Sequence, residues 1–237
     1  MMAEIPVAVA LDLSSGEEAV RLARSLSPHV GAFKIGLELL SGPGPVLVSA
    51  LAELGKPVFC DAKLHDIPNT VGRAAANLAR AGARWITVHA AGGPAMLDAA
   101  AEGAAKGSPD TGILAITVLT SLTASDLARV GLGDSVGRQV SRMARLAGEH
   151  GAEGAVCSVR ELGDVAQAAP DLFRVTPGIR PAGSDHGDQA RTATPHEALK
   201  RGADLLVVGR PITAAPDPVA AAAAIAASIV ESRRADR

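Results

Sequence analysis

The sequence predicts an α/β fold, a single (β/α)8 TIM barrel that spans residues 1–237 as one domain. Eight short apolar runs alternate with helical patterns, and no linker or low-complexity tract divides the 237 residues. Polar or charged residues follow most of these runs, as expected where the strands of a barrel end at a common mouth. An open, doubly wound sheet is the competing fold. It is less favoured because no G-x-G-x-x-G motif follows the first apolar run.

The predicted strands are short apolar runs, several of which end at a polar residue or a glycine. They occupy residues 5–11, 32–35, 58–63, 85–89, 112–118, 154–157, 173–176 and 205–208.

The predicted helices fill the intervals between the strands. The first begins near Ser15, with Glu17 and Glu18 in its first turn, where acidic side chains suit a helix N-terminus. Pro68 and Asn69 are expected to break the chain before another helix begins. Besides the first helix, the patterns predict helices over residues 45–54, 71–81, 94–106, 135–150, 160–169, 195–201 and 218–232, with a further short helix within 119–133.

The composition argues against several classes of protein. The net charge is −2 and aromatic residues make up 2% of the chain, so neither a polyanion partner nor a base-stacking platform is expected. Glu4 stands where a signal peptide needs positive charge, and the alanine-rich run 219–230 is too short to span a bilayer. We therefore expect a cytoplasmic protein with no nucleic-acid or membrane partner. Cys60 and Cys157 are expected to be buried free thiols.

The most informative stretch is residues 58–70, VFCDAKLHDIPNT. Strand side chains alternate between faces, so Asp61 and Lys63 are expected on one face with Phe59, and Cys60 on the other. Opposite charges held on the inner face of a strand are costly and require compensation. A structural ion pair is one explanation. Their position at a strand end, followed by a third charge, favours a functional site.

Other strand ends continue the pattern of polar residues. These residues are Asp12, Lys34, His89, Thr120, Thr176 and Arg210. Each one alone could be a capping or solvated residue, but their joint occurrence indicates a polar barrel mouth.

The last strand predicts a site for a phosphate group. Residues 207–213 read VVGRPIT, which places a glycine, a cation and the start of a short helix directly after the strand. The loop 179–193 adds Arg180, Gln189 and Arg191. Loops after the seventh and eighth strands commonly bind phosphate in these barrels. The alternative is a solvated loop with ordinary surface arginines.

At these positions the chain resembles the orotidine 5′-phosphate decarboxylase family, and DAKLHDIPNT at residues 61–70 is the most specific match. The resemblance extends from VALD at 9–12 to VVGRPI at 207–212. It implies a homodimer of barrels that uses no metal and no cofactor and converts orotidine 5′-monophosphate to UMP.

The resemblance also implies roles for individual residues. Lys34, Asp61 and Lys63 match three members of an alternating Lys-Asp-Lys-Asp array, and Asp66 matches the fourth, which reaches in from the partner subunit. Lys63 matches the proton donor. The remaining matches are implied substrate contacts: Asp12 and Lys34 on the ribose and phosphate side, Thr120 near the pyrimidine, Ile67 and Thr70 from the partner, and Arg180, Gln189, Gly209 and Arg210 at the phosphate.

Three alternatives remain at this point. A related Mg-dependent barrel, 3-keto-gulonate-phosphate decarboxylase or hexulose-phosphate synthase, has a similar D-x-K-x-x-D signature. It places a metal-binding acid near the second strand, where this chain has Lys34. A phospho-sugar epimerase barrel would give no reason for the alternating charges. A non-catalytic phosphate-ligand binding protein would give no reason for keeping Asp61, Lys63 and Asp66 together.

Overall fold

Eight parallel strands close into a barrel in chain order, and this confirms the predicted fold. The structure is a computed structural model that describes residues 5–133, 135–181 and 192–235. β1 pairs with β2 on one side and with β8 on the other, which completes the ring. The strands are β1 (Val7–Ala10), β2 (Ala32–Ile35), β3 (Val58–Leu64), β4 (Ala83–His89), β5 (Gly112–Ile116), β6 (Gly154–Val156), β7 (Phe173–Thr176) and β8 (Leu205–Val208).

Helices surround the barrel on its outer face. They are α1 (Gly16–Leu26), α2 (Leu37–Ser41), α3 (Pro45–Ala52), α4 (Pro68–Arg80), α5 (Pro94–Gly107), α6 (Ala124–Arg129), α7 (Val136–Glu149), α8 (Leu162–Ala168), α9 (Pro195–Lys200), α10 (Arg210–Thr213) and α11 (Pro218–Ala235). Within the described part of the chain, none of these helices has both the length and the apolar character needed to cross a membrane.

The structure corrects two predictions about helices. The short helix α2 after β2 was not predicted, because five residues give too little periodicity to recognise. Helix α4 begins at Pro68, whereas the sequence predicted a break there and a helix from residue 71. Proline is favoured at the first helical position because it needs no hydrogen bond for its nitrogen and its φ is already helical. The loop after β3 is therefore shorter than expected.

The barrel has an inner and an outer apolar layer. Bulky inward side chains from β3 and β4, Phe59 and Trp85, face the small residues Ala8, Ala10 and Ala32 of β1 and β2. The outer faces of the strands pack against the helices in a separate, larger core, which includes Cys60. The predicted alternation of Phe59 and Cys60 is therefore confirmed. The small side chains of β1 and β2 leave open space toward the mouth.

An ion-pair network closes the opposite end of the barrel. Both terminal guanidinium nitrogens of Arg84 donate to the Glu153 carboxylate, at 2.6 and 2.8 Å, and Trp85 Nε1 donates to it at 2.9 Å. The Trp85 ring also stacks on Phe173, with ring centroids 5.6 Å apart. These contacts satisfy the polar groups at the barrel floor, far from the strand ends that carry the predicted site.

Helices α4 and α5 approach each other through small residues. A Cβ at Gly103 would lie 2.1 Å from the Gly72 carbonyl oxygen, and one at Gly72 would lie 2.8 Å from the Ala99 carbonyl oxygen. Real Cβ atoms essentially never come so close to other atoms, so a side chain at Gly103 would force the two helices apart.

Candidate active site

A cavity of about 630 Å³ opens at the carboxyl ends of the strands. Its floor is formed by inward residues of the barrel, including Ala10 and Phe59. Eight residues that the sequence predicted as functional line it: Asp12, Lys34, Asp61, Lys63, Thr120, Arg180, Gly209 and Arg210. The structure therefore brings together residues from both halves of the chain, and the volume suits a small-molecule ligand.

Lysine and carboxylate groups alternate along one side of the cavity. Lys34 Nζ lies 3.0 Å from Asp12 Oδ1 and 3.7 Å from Asp61 Oδ2. Lys63 Nζ lies 2.6 Å from the same Asp61 oxygen. Asp61 thus joins the two ammonium groups, and these residues form the core of the predicted array.

The array is partly buried, and the reduced contact with solvent strengthens its electrostatic interactions. The side chains of Lys34 and Asp61 are 8% and 14% exposed, whereas Asp12 at the outer edge is 59% exposed. A buried charge is costly unless it is paired, and each of the two inner groups has a partner. Gly36 contributes by its lack of a side chain, since a Cβ there would lie 3.3 Å from Lys34 Nζ.

The end of β3 departs from regular strand geometry at the array. Cys60 pairs with Ile86 and Leu64 pairs with Val88, so three residues of β3 stand opposite Thr87 alone. Lys63 has a φ of +47°, the left-handed region that side chains rarely adopt. Bulges of this kind re-aim side chains next to active sites. Thr87 was not among the predicted site residues, although a threonine within the apolar run WITVH was a visible signal.

Two arginines line the cavity at the ends of β7 and β8. Arg180 is buried and follows β7, while Arg210 is exposed and begins α10. Gly209 lies between β8 and Arg210, and a Cβ there would be 3.6 Å from the Ala10 side chain. Guanidinium groups bind phosphate in a bidentate manner, so this side suits an anionic group. Gln189 and Arg191, which were predicted to assist, lie outside the described residues.

Three predicted residues do not line the cavity of their own chain. Asp66, Ile67 and Thr70 are exposed, and the Ile67 residue is 67% accessible. Asp66 Oδ1 accepts a hydrogen bond of 2.6 Å from the Ile67 backbone N–H, which orders the turn before α4. Their predicted action in a partner subunit stays a prediction.

Two further groups near the mouth have perturbed ionisation. His89 stacks on His65, with ring centroids 5.4 Å apart, and its pKa is lowered by burial, by His65 and by Lys63. His89 is therefore neutral at pH 7. The Cys157 thiol lines the cavity, but burial and then Glu161 raise its pKa to about 12. It is therefore a protonated thiol, as its expected role as a buried free cysteine requires.

The fold and the site define a class of protein: a (β/α)8-barrel enzyme whose mouth holds alternating ammonium and carboxylate groups and two arginines. Comparison with known protein families identifies the family within this class. The family described as "Orotidine 5'-phosphate decarboxylase / HUMPS family" matches residues 6–225, and the chain belongs to it.

Individual relatives agree with this assignment. The orotidine 5′-phosphate decarboxylase of Anaeromyxobacter sp. (strain K) is 52% identical over 224 residues, which cover 94% of this chain and 97% of that protein. The protein of the same name from Moorella thermoacetica is 52% identical over 236 residues, with coverage of 97% and 94%. The crystal structure of orotidine 5′-phosphate decarboxylase from Lactobacillus acidophilus superposes with a TM-score of 0.83 at 38% identity, and covers 94% of this chain and 98% of that one.

Proposed function

We propose that this chain is an orotidine 5′-phosphate decarboxylase, which converts orotidine 5′-monophosphate to UMP and CO2 in pyrimidine biosynthesis. The observation that carries the proposal is the array at the barrel mouth, in which Asp61 Oδ2 lies 2.6 Å from Lys63 Nζ and 3.7 Å from Lys34 Nζ. The family match and the named relatives support the same reaction. The chain acts as a single barrel domain.

The chemistry explains why an enzyme for this reaction needs such an array. Loss of CO2 from carbon 6 of the pyrimidine leaves an electron pair in the plane of the ring, where it cannot delocalise into the π system. The active site must therefore stabilise the charge through fixed electrostatic groups. Slow reactions of this type require well over ~20 kcal/mol of transition-state stabilisation.

Lys63 is assigned the central role in this proposal. Its ammonium group faces the developing negative charge, stabilises it, and then transfers a proton to carbon 6. Asp61 orients the ammonium group through the 2.6 Å contact, and Lys34 approaches the same carboxylate oxygen, 3.7 Å away. The Asp61 carboxylate also stands near the departing carboxylate of the substrate, where its charge would favour loss of CO2.

The phosphate of the substrate is assigned to the side with the arginines. Arg180, Gly209 and Arg210 bind it, together with Gln189 from the segment between β7 and α9. Asp12 and Lys34 contact the ribose and the phosphate side, and Thr120 contacts the pyrimidine. Binding energy from the phosphate is remote from the reacting carbon and can be used to hold the substrate in its reactive position.

The proposed active unit is a cytoplasmic homodimer with shared sites. Asp66 completes the array of the partner subunit, and Ile67 and Thr70 contact the substrate bound there. Support comes from the exposure of this segment, which presents Asp66, Ile67 and Thr70 to the outside of their own chain. A homodimer with twofold symmetry would place two such segments in equivalent positions.

The Mg-dependent alternative is not favoured by the geometry of Lys34. Its ammonium nitrogen lies 3.0 Å from Asp12 Oδ1 and 3.7 Å from Asp61 Oδ2, so it occupies the place between the two carboxylates where a cation would bind. A fixed positive charge at this point repels a divalent ion. A non-catalytic ligand-binding protein is also less favoured, because binding alone needs no lysine pair joined by a buried carboxylate.

The direct test is to mix the purified protein with orotidine 5′-monophosphate and to follow the ultraviolet absorbance as the substrate is converted to UMP. We expect the absorbance to shift from that of the substrate to that of UMP until all substrate is converted, with release of one CO2 for each substrate consumed. Orotidine without phosphate serves as a control for the phosphate requirement. Stable absorbance with tight substrate binding would instead identify a non-catalytic binding protein.

A further inference from the structure

Thr87 is a buried residue that lies directly beside the lysine–carboxylate array. It lies on β4 opposite the bulge of β3, where residues 61–63 have no regular strand partner except Thr87. Its residue accessibility is 0%, so water does not compete for its hydroxyl group. A buried polar group in an apolar strand requires hydrogen-bond partners, and both partners of Thr87 belong to the array.

The Thr87 hydroxyl contacts both of the β3 residues that carry the proposed chemistry. It accepts a hydrogen bond of 2.8 Å from the backbone N–H of Lys63. It donates one of 3.0 Å to Asp61 Oδ1. A hydroxyl is the smallest side-chain group that can accept and donate at once, so threonine suits this place where valine, with the same shape, does not.

One of the two hydrogen bonds fixes the backbone of Lys63, and the other fixes the carboxylate of Asp61. The bond to the Lys63 N–H satisfies a backbone donor that the bulge removes from the regular ladder, and it holds Lys63 at its φ of +47°. The bond to Asp61 Oδ1 prevents rotation of the carboxylate. The other oxygen, Oδ2, is thereby directed at Lys63 Nζ, 2.6 Å away, and at Lys34 Nζ, 3.7 Å away.

We propose that Thr87 is a positioning residue for the decarboxylation, and that its hydroxyl fixes the direction of the Asp61 carboxylate and of the Lys63 side chain at carbon 6 of the substrate. Thr87 is absent from the cavity lining, so it acts through Asp61 and Lys63 and makes no contact with the substrate. Because this role rests on the proposed decarboxylase function, the wild-type protein must be assayed in the same experiment.

The experiment compares Thr87→Val, which removes the hydroxyl and keeps the shape, with Thr87→Ser, which keeps the hydroxyl. A small misplacement of catalytic groups costs roughly 10²-fold in rate, so we expect kcat of the Thr87→Val protein to fall by about that factor. KM and the UMP affinity measured by calorimetry should stay close to wild type, since the phosphate contacts are unchanged. Thr87→Ser should restore most of kcat.

Thr111→Val is the matched control. Thr111 is also buried against β4, but its hydroxyl donates to the Ala83 carbonyl, 2.5 Å away at the other end of the strand. This variant loses a buried hydrogen bond of the barrel without touching the array. We expect a lower melting temperature with kcat near wild type, which separates loss of stability from loss of positioning.

The outcomes distinguish a failure of the positioning role of Thr87 from a failure of the decarboxylase function. Wild-type kcat in Thr87→Val, or equal losses in Thr87→Val and Thr87→Ser, would overturn the positioning role while leaving the decarboxylase function intact. If the wild-type protein releases no CO2 from orotidine 5′-monophosphate, the proposed function fails and the role of Thr87 with it. Thr87→Ala, whose smaller side chain cannot overfill the site, carries the same expectations if Thr87→Val does not fold.

Discussion

The Lys63 ammonium nitrogen lies 2.6 Å from Asp61 Oδ2, although the two residues are separated by only one position in a strand. In a regular strand their side chains would stand parallel on one face. The bulge at the end of β3 and the positive φ of Lys63 lie within the segment that carries both residues. The contact on which the proposed chemistry depends is therefore formed where the backbone departs from regular strand geometry.

Replacing Lys63 with alanine should abolish turnover and leave substrate binding in place. We expect kcat to fall by more than roughly 10⁴-fold, because the variant loses both the proposed proton donor and the charge that is proposed to face carbon 6. Lys106→Ala is the control, since Lys106 lies exposed on α5 and pairs with Glu102 across one helical turn. Absorbance assays give kcat, and calorimetry with UMP measures binding. Decarboxylation by Lys63→Ala near the wild-type rate would exclude Lys63 as the catalytic group.

Removal of divalent metals should not affect the reaction. The Lys34 ammonium group fills the space between Asp12 and Asp61, at 3.0 and 3.7 Å, and it supplies the positive charge that a metal would supply elsewhere. We expect equal kcat before and after dialysis against EDTA. Activity that disappears on dialysis and returns with Mg²⁺ would favour the metal-dependent branch of barrel enzymes instead.

Replacing Arg210 with alanine should weaken binding of the substrate phosphate and so lower kcat/KM. A hydrogen bond to a charged group contributes about 1.5–3 kcal/mol, so kcat/KM should fall by about 10- to 100-fold. Orotidine has no phosphate for Arg210 to bind, so wild type and variant should convert it at equal rates. Arg24→Ala, at the exposed end of α1, is the control. An equal loss with both substrates would show that Arg210 acts elsewhere than at the phosphate.

The sequence predicted the barrel and the residues at its mouth well, because apolar runs mark the strands and polar residues follow them. The β2, β7 and β8 boundaries agree with the apolar runs, and Phe59 and Cys60 face opposite sides as strand alternation requires. Parallel strands in a barrel end at one mouth, so strand-end residues such as Asp12 and Arg210 could be predicted to meet.

The contacts of Thr87 could not be predicted in the same way. Its partners Lys63 and Asp61 lie 24 and 26 positions earlier, and their meeting depends on the register between β3 and β4. That register shifts at the bulge, and no local pattern in the sequence marks the shift. The start of α4 was missed for a different reason: Pro68 can end a helix or begin one, and the structure uses it to begin one.

Replacing Gly103 with alanine should destabilise the barrel, because the new Cβ would stand 2.1 Å from the Gly72 carbonyl oxygen and would push α5 away from α4. Overpacking of this kind costs about 1–3 kcal/mol of unfolding free energy. Gly163→Ala is the matched control: it lies within α8, and a Cβ there meets no atom within 4 Å. Urea unfolding can be followed by the fluorescence of Trp85, the single tryptophan. Equal stability of the two variants would contradict the close packing of α4 on α5.

Mixing two inactive variants should restore activity if the site is shared between subunits. Lys63→Ala lacks the proposed proton donor but keeps Asp66, and Asp66→Ala keeps Lys63. A hybrid dimer therefore contains one site with both residues intact and one with neither. After random exchange of equal amounts, half of the dimers are hybrids, so about a quarter of the wild-type activity per site is expected.

This expectation follows from the position of Asp66, which is exposed and does not line the cavity of its own chain. The matched control mixes Lys63→Ala with Asp61→Ala. Asp61 lies 2.6 Å from Lys63 in the same chain, so every hybrid site is defective and no activity should return. Subunit exchange is verified separately by mass spectrometry of differently labelled proteins. If exchange occurs and the mixture of Lys63→Ala with Asp66→Ala stays inactive, Asp66 does not complete a neighbouring site, and its exposed position on the loop before α4 requires a different explanation.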